Sequence, residues 1–226
     1  MRVKGFPWLG QEFVSLSCEG NGEGTIEGET RGLFARFAER LSQLGLSLDN
    51  TVRTRLWAQD MDCWRAGTNE RARILSGKAR SVSSSHIRPD RLGSKSRISV
   101  DVLAMFPPAA GESKMLREYE PRTNVLRSMA WGGVLFCSGQ SDMTQATFDK
   151  QFPIIIARLS ETLREGGSSW GEVVRASFFL HHEESLDRLR RGFRQAISAQ
   201  IPTLDYTLID TRQGKRLEIE LTAKVI

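Results

Sequence analysis

Cysteine is scarce in this chain of 226 residues, and the three that occur, Cys18, Cys63 and Cys137, are far apart. An odd and widely spaced set argues against a disulfide framework and against a thiolate metal site, since both use paired or clustered cysteines. No apolar run approaches the length of a membrane span, and the first residues lack the apolar stretch of a signal peptide. We therefore expect a cytoplasmic protein without membrane attachment.

A large excess of charge of one sign is also lacking. The formal net charge is +5, and the basic residues are spread along the chain. Charged residues make up 26% and apolar residues 39%, as is ordinary for a soluble globular protein. This balance is compatible with an anionic substrate or with weak nucleic-acid contact, but it demands neither.

One segment without apolar periodicity, residues 107–123, divides the chain. It begins with Pro-Pro-Ala-Ala-Gly and continues as a charged run, which is typical of a linker. We predict a domain at 1–106, a linker at 107–123 and a second domain at 124–226. Domains of roughly 100 residues can each bury a core, although such small cores gain from packing on a partner.

Hydrophobic periodicity predicts the same order of elements in both halves: strand, helix, strand, helix, strand, strand. The predicted strands are 12–18, 51–58, 79–85 and 97–105 in the first half and 133–139, 173–180, 204–210 and 217–225 in the second. The predicted helices are 32–44, 62–76, 147–165 and 185–199. Val52-Arg53 recurs as Val174-Arg175, 122 positions later. A common order at a nearly constant offset indicates a duplication.

Each repeat should form an α+β unit with two helices on one face of a mixed sheet. The other face of such a sheet is bare and must be covered. We therefore expect the chain to assemble into homo-oligomers.

Several segments carry the motifs of a known family. Residues 131–140, Trp-Gly-Gly-Val-Leu-Phe-Cys-Ser-Gly-Gln, and residues 216–223, Arg-Leu-Glu-Ile-Glu-Leu-Thr-Ala, resemble the first and last strands of the RidA/YjgF family of small imine deaminases. In the first half, residues 44–52 resemble the joint between the family's first helix and the next strand. Residues 60–64 with Asn69 resemble its second helix, and Ala-Arg-Ser-Val at 79–82 resembles its arginine-bearing strand. No single motif is specific, but their order in the two halves supports the resemblance across nearly the whole chain.

This resemblance implies a fold, an assembly and an activity. The fold is the chorismate-mutase-like α+β type, which assembles as trimers with sites in clefts between neighbouring domains. The activity is hydrolysis of reactive imines and enamines to ketones and ammonia, without a metal or an organic cofactor. The implied ligand is a small anionic imine or enamine, and the simplest implied assembly is a trimer of chains. Some members of the family carry an older label of endoribonuclease.

The resemblance assigns two catalytic residues. Arg80 matches the family arginine that holds the substrate carboxylate, and Glu218 matches the glutamate that positions the attacking water. Leu204 lies opposite Arg80 in the second half and Ser99 lies opposite Glu218 in the first, so each half has kept one residue of the two. A working site must then be composite or absent.

Both residues also have a purely structural interpretation. Arg80 could pair with a neighbouring acid at a strand edge. Glu218 could be an exposed strand carboxylate paired with Arg216 or Lys215.

Five further residues are assigned to substrate binding. Ser138 and Gly139, with Ser17 opposite them in the first half, lie where the family presents hydroxyl and backbone N–H groups to a ligand. Asn69 matches a family asparagine near the site, and Arg190 lies at that position in the second half.

Two other motifs have plainer interpretations. Residues 181–184, His-His-Glu-Glu, resemble a metal cluster, but adjacent residues in an extended segment should point to opposite sides. We therefore predict no metal site. Arg190 and its neighbours Arg188, Arg191 and Arg194 form the basic face of a predicted amphipathic helix, which has no evident aromatic residues for stacking on bases.

Three functions follow in order of preference. The first is a cofactor-independent deaminase or related hydrolase. The second is a catalytically degenerate module that binds a metabolite or RNA. The third is a structural partner of another family member.

Overall fold

The computed structural model describes residues 1–93, 95–108, 111–210 and 214–226. The chain forms two compact units. One comprises Met1–Ser113 with Glu118–Leu126, and the other comprises Lys114–Arg117 with Arg127–Ile226. The segment predicted as a linker, 107–123, thus contains residues of both units, and its Ala109 and Ala110 lie outside the described residues.

The first unit has a five-stranded mixed sheet and two helices. Its elements are β1 (Arg2–Trp8), β2 (Gln11–Glu19), α1 (Ile26–Ser42), β3 (Thr51–Ala58), α2 (Met61–Ile74), β4 (Val82–Ile87) and β5 (Ile98–Met105). The strand order is β1-β2-β5-β3-β4, with β3 and β4 parallel and the other neighbours antiparallel. Leu33, Phe37 and Leu41 of α1 are fully buried in a core with alternate residues of β5. The helices therefore cover one face of the sheet.

The second unit repeats this arrangement. Its elements are β6 (Met115–Glu118), β7 (Leu126–Trp131), β8 (Val134–Ser141), α3 (Phe148–Glu165), β9 (Val173–His181), α4 (Leu186–Ala196), β10 (Thr203–Ile209) and β11 (Leu217–Lys224). The sheet order is β10-β9-β11-β8-β7-β6, and β9 and β10 are parallel. Read from β7, the order β7-β8-β11-β9-β10 is the order β1-β2-β5-β3-β4 of the first unit. The predicted tandem duplication of an α+β domain is confirmed.

The structure also differs from the predicted elements in the start of α1, in three further strands and in the start of β4. Helix α1 begins at Ile26 rather than at residue 32, because the Thr25 side chain caps it by accepting a 3.1 Å hydrogen bond from the Gly28 N–H. Strands β1, β6 and β7 were not predicted, since β1 and β6 contain no buried residue and none of the three carries an alternating apolar pattern. Strand β4 begins at Val82, so Arg80 precedes it.

Strand register corrects one pairing between the repeats. Arg53 of β3 lies beside Val82, and the equivalent Arg175 of β9 lies beside Thr203. The residue two positions before Thr203 is Ile201, which is therefore the counterpart of Arg80, and the predicted counterpart Leu204 is wrong by three positions. Neither residue is an arginine.

None of the described helices is long and apolar enough to cross a membrane.

Candidate functional site

Arg80 lies at the end of the short 3-10 turn Gly77–Ala79, just before β4. Its guanidinium makes a bidentate ion pair with the carboxylate of Glu118. One nitrogen, Nη2, lies 2.8 Å from Oε2, and Nη1 donates to Oε1. The Arg80 side chain is only 16% exposed and that of Glu118 is 31% exposed, so the pair is partly shielded from water. The predicted clamp residue therefore holds a carboxylate in the fork geometry that suits a carboxylate ligand.

Both partners are held in their charged forms. The hydrogen bond from Arg80 is the main reason why the pKa of the Glu118 carboxyl lies below its ordinary value. The same bond raises the pKa of Arg80. A second guanidinium, that of Arg122, lies 3.5 Å from Glu118 Oε1. Glu118 stays ionised at neutral pH and competes for Arg80 with any anionic ligand.

Ser17 lies in a different cluster, on the sheet face away from the helices. Its hydroxyl donates to Asp101 Oδ1 over 2.7 Å, and the Trp57 indole N–H donates to Asp101 Oδ2 over 2.7 Å. Arg91 Nη2 lies 2.9 Å from the same Oδ2. Asp101 and Ser99 share this face of β5 because they are two residues apart. The first unit therefore has a carboxylate, that of Asp101, two residues from Ser99, which is the counterpart of Glu218.

Ser17 and Arg80 are not brought together. Strands β5 and β3 lie between β2 and β4 in the sheet. At about 4.8 Å per strand spacing, β2 and β4 are about 14 Å apart. Ser17 is thus engaged by Asp101 rather than by a ligand at Arg80.

Glu218 is a buried residue of β11 and forms an ion pair with Lys215. The distance from Lys215 Nζ to Glu218 Oε2 is 2.5 Å, and the two side chains are 3% and 7% exposed. Of the two basic residues considered from the sequence, Lys215 is thus the actual partner, while Arg216 pairs with Glu183 over 2.8 Å. Glu218 is a shielded carboxylate, not an exposed one.

Gly139 makes room for Glu218. A Cβ atom at this position would overlap the Glu218 carboxylate. The register between β11 and β8 shifts in this region, which is a β-bulge, and bulges often re-aim a side chain next to a site. Ser138 precedes the bulge residue and is buried. Three of the predicted residues, Ser138, Gly139 and Glu218, therefore lie together.

Arg190 does not belong to this group. Its guanidinium lies 4.9 Å from the ring centre of Tyr206, which is beside Phe178 in β9. Glu218 lies beside the next residue, Phe179. Adjacent residues of a strand point to opposite faces, so Arg190 and Glu218 are separated by the sheet. The structure therefore does not bring Arg190 together with Glu218, and its role in ligand binding stays a prediction.

Asn69 is exposed on α2, on the helix side of the first sheet. It lies at the opening of a small cavity whose wall includes Ser81, the residue after Arg80.

The two histidines at the end of β9 do not follow the expectation that adjacent residues of an extended segment point to opposite sides. The rings of His181 and His182 stack with centres 4.6 Å apart, so the two side chains do not point to opposite sides. The reason is that His182 lies in the turn after the strand. His182 Nδ1 lies 2.7 Å from Asp210 Oδ1, and His181 Nδ1 accepts the N–H of Glu183 over 3.2 Å. Burial lowers the pKa of His181.

The fold class defined by these units is a tandem pair of RidA-like α+β domains, the arrangement found in chorismatase. The crystal structure of a chorismatase is similar to this chain over 94% of its length and 74% of its own, with a TM-score of 0.67 and 17% sequence identity. At that identity the likeness shows the fold alone.

Single-domain structures match half of the chain. A conserved Rid-family protein from Yersinia pestis covers 50% of this chain and is itself covered completely, with a TM-score of 0.46 and 17% identity. A YjgF-family protein from Mycobacterium tuberculosis gives a TM-score of 0.44 and 19% identity, over 50% of this chain and all of its own length. No protein-family model and no curated protein matches the sequence.

Proposed function

We propose that this protein hydrolyses a small carboxylate-bearing imine or enamine and that Arg80 holds the carboxylate of the substrate. The observation that carries this proposal is the bidentate pair of Arg80 with Glu118. A guanidinium placed in this way is always charged and matches a carboxylate with two parallel hydrogen bonds. A substrate carboxylate would take the place of the Glu118 carboxylate.

Glu218 is the residue that we propose to position the attacking water. Lys215 engages Oε2, while Oε1 is the oxygen nearest to Gly139. A carboxylate oxygen within hydrogen-bond reach can orient a water and accept its proton. Water adds to the carbon of the C=N bond, and the resulting amino alcohol loses ammonia to give the ketone. No metal or organic cofactor is needed for this step.

A binding module without turnover is the second candidate. It is favoured by the fact that both charged groups already have partners within the chain, Glu118 for Arg80 and Lys215 for Glu218. RNA is a less suitable ligand, because Arg188 pairs with Asp149 and Arg190 stacks on Tyr206. A ligand with a carboxylate is the shared requirement of both candidates.

The test is a kinetic comparison with an imino acid generated in the cuvette by an amino-acid oxidase. We expect keto acid to form faster than in the uncatalysed reaction. Arg80→Ala should lose about 2–4 kcal/mol of transition-state stabilisation, because the carboxylate loses its charged partner. Arg80→Lys should keep only part of this transition-state stabilisation, since an ammonium lacks the planar fork.

Glu218→Gln separates the two candidates. It should leave KM largely unchanged and lower kcat by about a hundredfold, as expected for loss of a general base. Arg65→Ala, an exposed arginine on α2, is the matched control and should behave like the parent. If the parent binds the substrate without accelerating its hydrolysis, the protein is a binding module.

A further inference from the structure

A small polar cavity lies on the helix side of the first sheet, between α2 and strands β3 and β4. Its volume is about 40 Å³. That is room for about three water molecules, or for a small molecule of similar size. The exposed residues Asn69 and Asn124 lie among its lining residues, so the cavity opens to solvent.

Two buried hydroxyl groups line this cavity without a hydrogen-bond partner among the described residues. They are Thr54 Oγ1, in a side chain with no exposure, and Ser81 Oγ, in a residue that is 8% exposed. Leaving a buried hydroxyl unsatisfied costs about 1–3 kcal/mol, and native proteins rarely do so. The two groups therefore indicate an occupant that can make hydrogen bonds.

The lining indicates the charge of this occupant. Arg71 is buried and is one of the residues that line the cavity, and its guanidinium donates hydrogen bonds of 2.7 Å to the Ser84 carbonyl and 2.9 Å to the Ser85 hydroxyl. Within the described ranges, no Asp or Glu lines the cavity. A positive charge with hydroxyl and amide donors around it favours an anion over a cation.

The cavity is separate from the clamp at Arg80. Ser81 lines the cavity, whereas Arg80 is not among its lining residues. Thr54 shares its face of β3 with Leu56, which packs in the core against the helices. The cavity is therefore on the helix side of the sheet.

We infer that this cavity is a binding site for a small carboxylate anion of three to four heavy atoms, with Thr54, Ser81 and Arg71 as its ligands. Formate and acetate have the required size. Each carboxylate oxygen accepts from one hydroxyl, and the guanidinium supplies the balancing charge. The site does not depend on the proposed hydrolase activity.

The test is thermal unfolding of the full chain at increasing sodium formate, with sodium chloride added to keep the ionic strength constant. A ligand that binds only the folded state raises Tm in a saturable way. The parent should show this rise. Thr54→Val and Ser81→Ala should each raise the apparent Kd for formate about tenfold or more, because each removes a hydrogen bond to a charged group.

Two control variants show whether formate raises Tm by binding in this cavity. Ser128→Ala removes another buried hydroxyl without a partner among the described residues, away from this cavity, and should leave the Kd unchanged. Arg80→Ala should also leave it unchanged, which distinguishes this site from the proposed substrate clamp. Without formate, Thr54→Val should unfold at the same temperature as the parent or a higher one, since it removes an unsatisfied hydroxyl with little change of shape.

Two results would overturn the inference. One is a parent whose Tm rises no more with formate than with chloride, which means that the cavity holds only water. The other is a saturable rise that survives in both Thr54→Val and Ser81→Ala or disappears in Arg80→Ala, which places the anion elsewhere.

Discussion

At the scale of single residues, the proposed chemistry depends on two ion pairs, Arg80 with Glu118 and Lys215 with Glu218. Arg80 and Glu218 could be singled out from the sequence because each lies in or just before a strand with a recognisable motif. Their partners were harder to predict. Glu118 lies 38 residues from Arg80 in a charged segment without periodicity, so no spacing connects the two. Lys215 was considered from its nearness in sequence, which did not distinguish it from Arg216.

Replacing the competing carboxylate should strengthen substrate binding. Glu118→Gln keeps the shape of the side chain and removes its charge, so a carboxylate substrate no longer displaces an ion pair. Since this pair is partly exposed, we expect KM to fall about three- to fivefold, equivalent to about 1 kcal/mol. Glu120→Gln makes the same charge change on an exposed neighbour and should have no effect. An unchanged KM in Glu118→Gln would mean that the substrate does not use this fork.

A second carboxylate makes the stability of the first unit dependent on pH. Hydrogen bonds from Arg31, and less so from Arg73, hold the pKa of the buried Glu70 carboxyl below its ordinary value of 4.5. Since the pKa is lower in the folded state, this stabilisation is complete above pH 4.5 and is lost as the pH falls through the folded pKa. Glu70→Gln should lower the free energy of unfolding by about 1 kcal/mol at pH 7.

Urea titrations at several pH values check this expectation. The difference between parent and Glu70→Gln should shrink as the pH falls below 4.5. Glu39→Gln, on the exposed face of α1, is the control. A difference that stays constant down to pH 3 would contradict the assignment.

At the scale of elements, the helices and central strands could be predicted because apolar periodicity reports which face is buried. The structure places helices α2, α3 and α4 within about two or three residues of the predicted bounds. The missed elements lack that signal: β1 is an exposed edge strand, and the first turn of α1 depends on the Thr25 cap. The bulge at Gly139 is a backbone feature that no periodicity reveals.

The bulge should be sensitive to a single methyl group. Gly139→Ala places a Cβ where the Glu218 carboxylate lies, and that carboxylate is held by Lys215. We expect a loss of about 1–3 kcal/mol of stability and a fall in kcat like that of Glu218→Gln. Gly32→Ala, on α1 with open space around it, is the matched control and should be neutral or slightly stabilising. Normal turnover by Gly139→Ala would show that the position of Glu218 is unimportant.

At the scale of the whole molecule, the duplication and the fold follow from the repeated order of elements, and the structure confirms both. The fold alone does not explain why the two repeats differ in their candidate site residues. The first repeat has Arg80 where the second has Ile201, and the second has Glu218 where the first has Ser99. We propose that both surviving residues serve one reaction.

The oligomeric state is also a property of the whole molecule. We propose a homo-oligomer, most simply a trimer of chains, because small cores of about 100 residues gain from packing on partners. Multi-angle light scattering at micromolar concentration should give a mass of about three chains. A stable monomer would exclude the proposed assembly.

The central claim is that Arg80 recognises the carboxylate of the substrate, and the most direct measurement is a specificity ratio. We compare kcat/KM for an imino acid with kcat/KM for its methyl ester, which keeps the reacting bond and lacks the charge. The parent should prefer the acid by about a hundredfold, equivalent to about 2.7 kcal/mol. In Arg80→Ala this preference should fall to within a few-fold of unity, because the group that senses the charge is gone. An Arg80→Ala variant that keeps the full preference of the parent would contradict the account.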